Sequence, residues 1–210
     1  MMKIPAKLSI FGTFALLLLA GCGAQADYAG RGLAYAKRGE FDRAIASYDK
    51  AIESDPWNAE AYANRGYVYY IKGEYDRAIA NYSRAIEIDP TYTRVYINRG
   101  DAYSMKGEYG RAISDYTKAL ELNPRLAEVY DARGLARAAQ GDFDRAISNF
   151  TVAIGIEPRN GKVYLHRAAA YRNKGLFDEA WKDVRKAQSL GYTVDPEFLK
   201  GLRENSERTK

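Results

Sequence analysis

A repeat of 34 residues constrains the fold of this chain more than any other feature of its sequence. Arg followed by a small residue recurs at that interval, at Arg31-Gly32, Arg65-Gly66, Arg99-Gly100, Arg133-Gly134 and Arg167-Ala168. A fixed period of this size indicates stacked supersecondary units, each of which buries its apolar face against the next. Such arrays present extended surfaces for binding, and they do not enclose catalytic clefts.

Each unit has the pattern of two helices joined by a tight turn. Ala44, Ile45, Tyr48 and Ala51 fall at helical spacing. Glycine accepts the left-handed conformation that ends a helix, so its recurrence at Gly39, Gly73, Gly107, Gly141 and Gly175 predicts the end of each first helix. Proline cannot continue a helix, so the second helices are predicted to end at Pro56, Pro90, Pro124 and Pro158.

The repeat resembles that of the tetratricopeptide repeat (TPR) family, whose unit is a helix–turn–helix of 34 residues. The residues that carry the resemblance are an aromatic, Gly, Tyr, Ala, a second aromatic, Ala and Pro. In the second repeat these are Tyr62, Gly66, Tyr69, Ala78, Tyr82, Ala85 and Pro90. The chain departs from the pattern at Arg137, Ala168 and Val184. The resemblance implies an all-α, right-handed superhelical solenoid of five units, followed by a C-terminal capping helix.

The predicted boundaries follow the repeat. The five units cover residues 27–194, divided at about 25–58, 59–92, 93–126, 127–160 and 161–194. Beyond them, Asp195 and Pro196 have the pattern of an N-cap and first helical residue. Residues 195–210 are therefore predicted to form a capping helix, with Phe198, Leu199 and Leu202 on one face, and a polar tail.

The first 21 residues have the pattern of a bacterial secretory signal. Lys3 and Lys7 precede an apolar run from Leu8 to Leu19. That run is too short for a permanent membrane span, which needs about 20 residues. We therefore expect residues 1–21 to be removed.

The end of the signal, Leu19-Ala20-Gly21-Cys22, resembles the lipobox of bacterial lipoproteins, and Cys22 is the single cysteine of the chain. The resemblance implies a diacylglyceryl thioether on the Cys22 thiol, cleavage before this residue, and acylation of the new amino terminus. Two or more acyl chains anchor a protein stably, whereas one binds marginally. Residues 22–26 are then a lipidated cysteine and short tether, and Gly23 favours the outer over the inner membrane.

Charge argues against nucleic acid as a partner. The net charge is +5, but the basic and acidic residues are interleaved, without a basic run. The 18 tyrosines recur at the offsets of the repeat, which assigns most of them to packing. We expect protein or peptide partners in the periplasm and contact with the membrane through the lipid.

The sequence predicts neither catalysis nor a cofactor. It holds no Gly-rich phosphate loop, nucleophile elbow or His-Glu metal helix. His166 is the single histidine, and it lacks a second His or Cys with which to hold a metal. We expect it to make a polar contact at the surface.

In the family that the repeat resembles, first-helix residues line a groove for an extended or helical peptide. Tyr67 and Tyr70 stand out because neither is a packing tyrosine of the repeat, although Tyr67 packing on its neighbours is the alternative. The family's chaperone-tail clamp is absent, since Ala29 and Leu33 stand at its first two positions. Carried over by position, the groove residues are Glu60, Asn64, Tyr67, Tyr70, Ile71, Arg94, Asn98, Asp101, Met105, Asp131, His166 and Arg172.

These features favour a membrane-anchored interaction scaffold, or adaptor, that faces the periplasm in a bacterial envelope. One alternative is a structural lipoprotein that self-associates through its repeats. A less favoured alternative is an accessory subunit of an envelope enzyme complex. The sequence names neither the partner nor the pathway, and the oligomeric state stays open.

Overall fold

The computed structural model describes residues 28–207, with side chains through Asn205. The prediction of an all-α fold is confirmed, since these residues form helices and no strand. The chain divides between Asp89 and Pro90 into two compact units. None of the described helices is long and apolar enough to cross a membrane.

The first unit consists of two antiparallel helix pairs, in each of which a first helix is joined by a tight turn to a second helix. Its core contains Ala44, Tyr48 and Val68, with Phe41 and Ile45 packed against them. Its helices are α1 (residues 28–37), α2 (Phe41–Ser54), α3 (Ala59–Ile71) and α4 (Tyr75–Ile88).

The second unit continues the alternation and ends with a single helix. Its helices are α5 (Thr93–Met105), α6 (Tyr109–Leu122), α7 (Ala127–Ala139), α8 (Phe143–Ile156), α9 (Gly161–Asn173), α10 (Phe177–Ser189) and α11 (Pro196–Glu207). The Asp195 carboxylate accepts a hydrogen bond from the Glu197 amide at 2.9 Å, so it caps α11. This helix runs to Glu207, and its buried Leu202 packs with Ala168 and Val184.

The turn between paired helices is closed by backbone hydrogen bonds. At the end of α3, the Glu74 amide donates to the Tyr69 carbonyl at 2.9 Å, and the Gly73 amide donates to the Tyr70 carbonyl at 3.0 Å. This pair of bonds is a Schellman motif, which requires a left-handed residue. Gly73 fills that place with φ of 76°.

Close crossing of the paired helices explains the small residue after each repeated arginine. A Cβ added at Gly134 would lie 2.5 Å from Cε1 of Phe150. The equivalent Cβ at Gly100 would lie 2.7 Å from Cε1 of Tyr116. Any side chain at these places would push the helices apart, which explains why the pattern keeps glycine beside an aromatic residue.

The repeated arginines, whose role the sequence left open, bind the second helices from inside the array. The Arg167 guanidinium donates to both carboxylate oxygens of Asp183, at 2.8 and 2.9 Å. It also donates to the Thr151 hydroxyl, at 2.9 Å, and thereby joins α8 to α10. Its planar face lies 5.8 Å from the centre of the Tyr164 ring. One arginine therefore ties three helices together with charge-assisted hydrogen bonds.

The side chain that accepts from the repeated arginine alternates between asparagine and aspartate from one repeat to the next, from the second repeat to the fifth. Arg99 binds Asp115 at 2.7 Å, and this hydrogen bond raises the pKa of the Arg99 guanidinium. Arg133 binds the neutral Asn149 at 2.9 Å, and burial lowers the pKa of its guanidinium. The array thus tolerates either acceptor, provided that the buried guanidinium finds a hydrogen-bond partner.

Candidate functional site

In the first unit, four predicted groove residues form a stripe along α3. Glu60, Asn64, Tyr67 and Ile71 are separated by three or four residues, so they share one helix face. Tyr67 is 49% exposed and Ile71 is 45% exposed. Two large apolar side chains next to each other on a surface are candidates for a partner contact.

Tyr70 lies apart from this stripe. Its ring centre is 5.6 Å from that of Tyr75, at an interplanar angle of 59°, so the two rings pack across the turn between α3 and α4. Tyr70 is therefore half-buried, and it contributes to the turn as well as to the surface.

In the second unit, α5 carries the next group of predicted residues. Arg94 and Met105 are exposed, the latter by 57%, while Asn98 and Asp101 are half-buried. The Tyr116 hydroxyl donates to the Asp101 carboxylate at 2.7 Å. Burial raises the pKa of Asp101, and the hydrogen bond from Tyr116 partly opposes that shift. Asp101 thus supports the pairing of α5 with α6 in addition to facing the surface.

Two predicted residues from different helices meet. Nδ1 of His166 on α9 lies 2.7 Å from Oδ1 of Asp131 on α7, and both side chains are half-buried. The expected polar contact of His166 is therefore a bond between two first helices. No cluster of three or more potential metal ligands surrounds it among the described residues.

Arg172 is covered by the capping helix. Its guanidinium lies 4.5 Å from the centre of the Phe198 ring on α11, a distance typical of a cation–π contact. The surface of α9 is therefore partly occupied by the chain's own α11 at this place.

Sequence reasoning did not single out Trp57, the most exposed large hydrophobic side chain of the described residues at 68%. It follows Pro56 in the loop between α2 and α3, and the Arg84 guanidinium lies 5.1 Å from its ring. The signal was available in the sequence, because the same repeat position holds Thr91, Arg125 and Arg159 in later units. The predicted lipidation site, Cys22, lies outside the described residues.

Family comparisons agree with the repeat. The profile described as TPR repeat matches residues 32–70 and 66–107. Profiles described as tetratricopeptide repeat match residues 93–126 and 132–191. The chain belongs to the tetratricopeptide repeat family. A search of curated protein sequences finds no match to this TPR chain.

Solved structures resemble the TPR chain over most of its length. A crystal structure of MamA protein is 30% identical, with a TM-score of 0.76, and the match covers 82% of this chain and 98% of MamA. A second MamA structure is 32% identical, with a TM-score of 0.74, over 76% of this chain and 94% of that one. The structure of YrrB, described as a TPR protein with an unusual peptide-binding site, shares the fold at 24% identity and a TM-score of 0.72, over 85% of this chain and 90% of YrrB.

TPR proteins of this kind are in general non-enzymatic scaffolds. Family membership and the likeness to MamA support a scaffold for protein–protein interaction.

Proposed function

We propose that this TPR chain is a lipid-anchored interaction scaffold that faces the periplasm in a bacterial cell envelope. Exposed apolar side chains at recurring positions of the first helices carry the proposal. Leu33, Tyr67 and Leu135 share one repeat position, and Ile71 and Met105 share another. Leu33, Tyr67 and Ile71 belong to the first unit and Met105 and Leu135 to the second, and each set is called the first-helix surface of its unit below.

The packing of the array gives no reason for these apolar side chains. Asp101 occupies the same repeat position as Tyr67, and Lys37 occupies the same repeat position as Ile71. Both positions therefore accept a charged residue. Large apolar and aromatic side chains are enriched where surfaces bind proteins, because their burial removes apolar area from water. The first-helix surface of each unit is therefore suited to an apolar segment of a partner protein.

The partner contact can be tested by photo-crosslinking in cells from a benzoylphenylalanine placed at Glu60 or Asn64 on α3. The variant Tyr67→Ala/Ile71→Ala should lose most of the crosslinked partner, because it removes the apolar contact. Trp57→Ala is the matched control, since it removes an exposed aromatic side chain from the same unit outside the first-helix surface. An unchanged partner yield in the Tyr67/Ile71 variant would contradict the proposal.

The anchor is supported by the sequence Leu19-Ala20-Gly21-Cys22, and Gly23 favours the outer membrane. The full chain should incorporate an alkyne-labelled fatty acid and enter the detergent phase in a Triton X-114 partition. Cys22→Ser should do neither, because the thioether cannot form. A wild-type chain that stays unlabelled and aqueous would refute the anchor while leaving the scaffold intact.

A further inference from the structure

The first unit exposes a tryptophan that the packing of its helices does not use. Trp57 lies in the loop between α2 and α3, and its ring is the most exposed of the large hydrophobic side chains described. Its backbone amide donates to the Asp55 carboxylate at 2.9 Å, which orders the loop after α2. The Arg84 guanidinium of α4 lies 5.1 Å from the ring centre and supports part of the ring. The remaining ring surface faces solvent and is a candidate for a contact.

This loop lies at the same end of the first unit as the beginning of α1. The Lys50 ammonium of α2 lies 5.6 Å from the centre of the Tyr28 ring, and Tyr28 is the first residue of α1. From Lys50, α2 continues by about 6 Å to its last residue, Ser54, and the loop with Trp57 follows. The turn between α1 and α2 lies at the opposite end, because α2 is about 20 Å long.

The proposed anchor is close to this end of the unit. Five residues separate Cys22 from Tyr28 in the sequence. A chain spans at most about 3.6 Å per residue, so the Cα atoms of Cys22 and Tyr28 are at most about 22 Å apart. A bilayer that holds acyl chains on Cys22 therefore lies near the end of the first unit that carries Trp57.

The charges at this end of the unit are mixed, so they give little attraction to anionic headgroups. Lys50 and Arg84 are accompanied by Glu53, Asp55 and Glu87, and the Glu87 carboxylate pairs with Arg84 at 2.9 Å. The Trp57 ring is suited to a bilayer for a different reason. Indole has an apolar body and one polar N–H group, and such rings prefer the boundary between the acyl chains and the headgroups.

We infer that the Trp57 loop contacts the bilayer that carries the anchor, with the indole ring inserted among the lipid headgroups. The inference rests on the proposed lipid anchor at Cys22, and it adds a second contact that orients the first unit. Ile71 ends α3 about 20 Å along the helix from the Trp57 loop. That end of the first-helix surface is therefore held away from the lipid, where a partner protein can reach it.

Fluorescence quenching by brominated lipid tests the contact. The full chain is extracted from membranes with detergent and reconstituted into phosphatidylcholine vesicles, with or without bromine on the acyl chains. The chain has two tryptophans, so Trp181→Phe leaves Trp57 as the single emitter. Bromine should lower the Trp57 emission about twofold or more, and high salt should not restore it, because ring insertion is not electrostatic. Unquenched emission, or quenching that disappears at high salt, would overturn the inference.

A matched control moves the tryptophan to the other end of the helix pair. Arg38→Trp, made in the Trp57→Phe/Trp181→Phe chain, places an indole ring in the exposed turn between α1 and α2, about 20 Å from the Trp57 loop. Bromine should leave the emission of this ring unchanged. Equal quenching at positions 38 and 57 would show that the unit lacks the inferred orientation. Thermal melting of each variant verifies folding.

The anchor and the loop contact can fail separately. A chain that takes up no labelled fatty acid refutes the anchor, and this inference falls with it. An acylated chain with unquenched Trp57 refutes this inference alone.

Photo-crosslinking in cells distinguishes a lipid from a protein at this place. A benzoylphenylalanine in place of Trp57 should yield an adduct with a phospholipid, which mass spectrometry detects. An adduct with another protein would make the Trp57 loop part of a protein interface and would overturn the inference.

Discussion

The spacing of a helix pair in this array depends on single residues. Gly134 leaves room for the Phe150 ring, whose Cε1 would lie 2.5 Å from an added Cβ. The last repeat solves the same problem with Ala168 and Val184, in which the larger residue on one helix meets a smaller one on the other. The two pairs occupy equivalent positions, so complementary volume, and not glycine itself, is what the crossing requires.

Exchange of one pair for the other tests this conclusion. Gly134→Ala should destabilise the chain by about 1–3 kcal/mol, because it overpacks the crossing. Phe150→Val should also destabilise it, because it leaves a cavity. The double variant reproduces the pair of the last repeat, so its loss in urea denaturation should be smaller than the sum of the two single losses by about 1 kcal/mol. Additive losses would contradict complementary packing.

Asp101 is a single residue that should make the stability of the folded chain depend on pH. Burial raises its pKa in the folded chain above the ordinary value of 3.8. The folded chain thus binds the proton more tightly than the unfolded chain, so stability falls as pH rises from the unfolded pKa through the folded one. Above that range the loss is complete and constant.

Asp101→Asn should therefore be more stable than the wild type at pH 7, and this advantage should shrink as the pH is lowered below 4. The amide oxygen can still accept the hydrogen bond from Tyr116. Whereas Asp101→Asn removes the fall of stability with rising pH, Tyr116→Phe should make that fall larger. The phenylalanine variant lacks the hydroxyl donor that favours the ionised Asp101 carboxylate, so the pKa of Asp101 rises further. Urea denaturation between pH 3 and 7 measures both. A pH-independent difference for the Asn variant would show that burial does not govern this group.

At the scale of the helix, glycine has two different roles in this chain. Gly107 ends α5 with φ of 75°, and no atom lies within 4 Å of the place where its Cβ would be. Gly155 lies within α8, and its Cβ would also meet open space. Steric room is thus equal at both positions, and the backbone conformation alone distinguishes them.

Alanine should therefore have opposite effects at the two glycines. Gly107→Ala should cost about 1–2 kcal/mol, because a residue with a Cβ is strained in the left-handed region. Gly155→Ala should stabilise by about 0.5–1 kcal/mol, because alanine loses less freedom in a helix. Thermal and urea unfolding of the two variants give the comparison. Equal effects would contradict the assignment of Gly107 as a helix-ending residue.

At the scale of the whole molecule, stability is a sum of contacts between neighbouring elements. The helices of the second unit contact those next to them in the array, and α11 closes that unit over Ala168 and Val184. Damage to α11 should therefore act on the elements that it covers. In the first unit, the core around Tyr48 and Val68 is built from its own residues.

Leu202→Ala should cost about 2–5 kcal/mol locally, since Leu202 is fully buried. Hydrogen exchange should become faster in α9, α10 and α11, while the amides of α3 keep their protection, because repeat arrays open in local segments. Exchange that increases uniformly over all described helices would show a single cooperative unit instead.

The helical repeat could be predicted from the sequence because local chemistry determines it. A left-handed turn requires Gly107, Pro90 ends a helix, and apolar residues at helical spacing identify the packed faces. Each of these signals lies within a single repeat. The pairing of Arg with its acceptors could not be predicted. Arg167 donates to Asp183, which is 16 residues after it, and to Thr151, which is 16 residues before it. Those contacts depend on how three helices pack.

The candidate surfaces divide in the same way. The sequence by itself determined which positions belong to the first helices, so the places of Tyr67 and Ile71 could be predicted from the repeat. Only the tertiary structure decided that Tyr70 packs on Tyr75, that His166 bonds to Asp131, and that Arg172 lies under Phe198. Periodicity assigns a residue to a helix face, but its exposure depends on side chains of other helices, and these meet only when the helices pack.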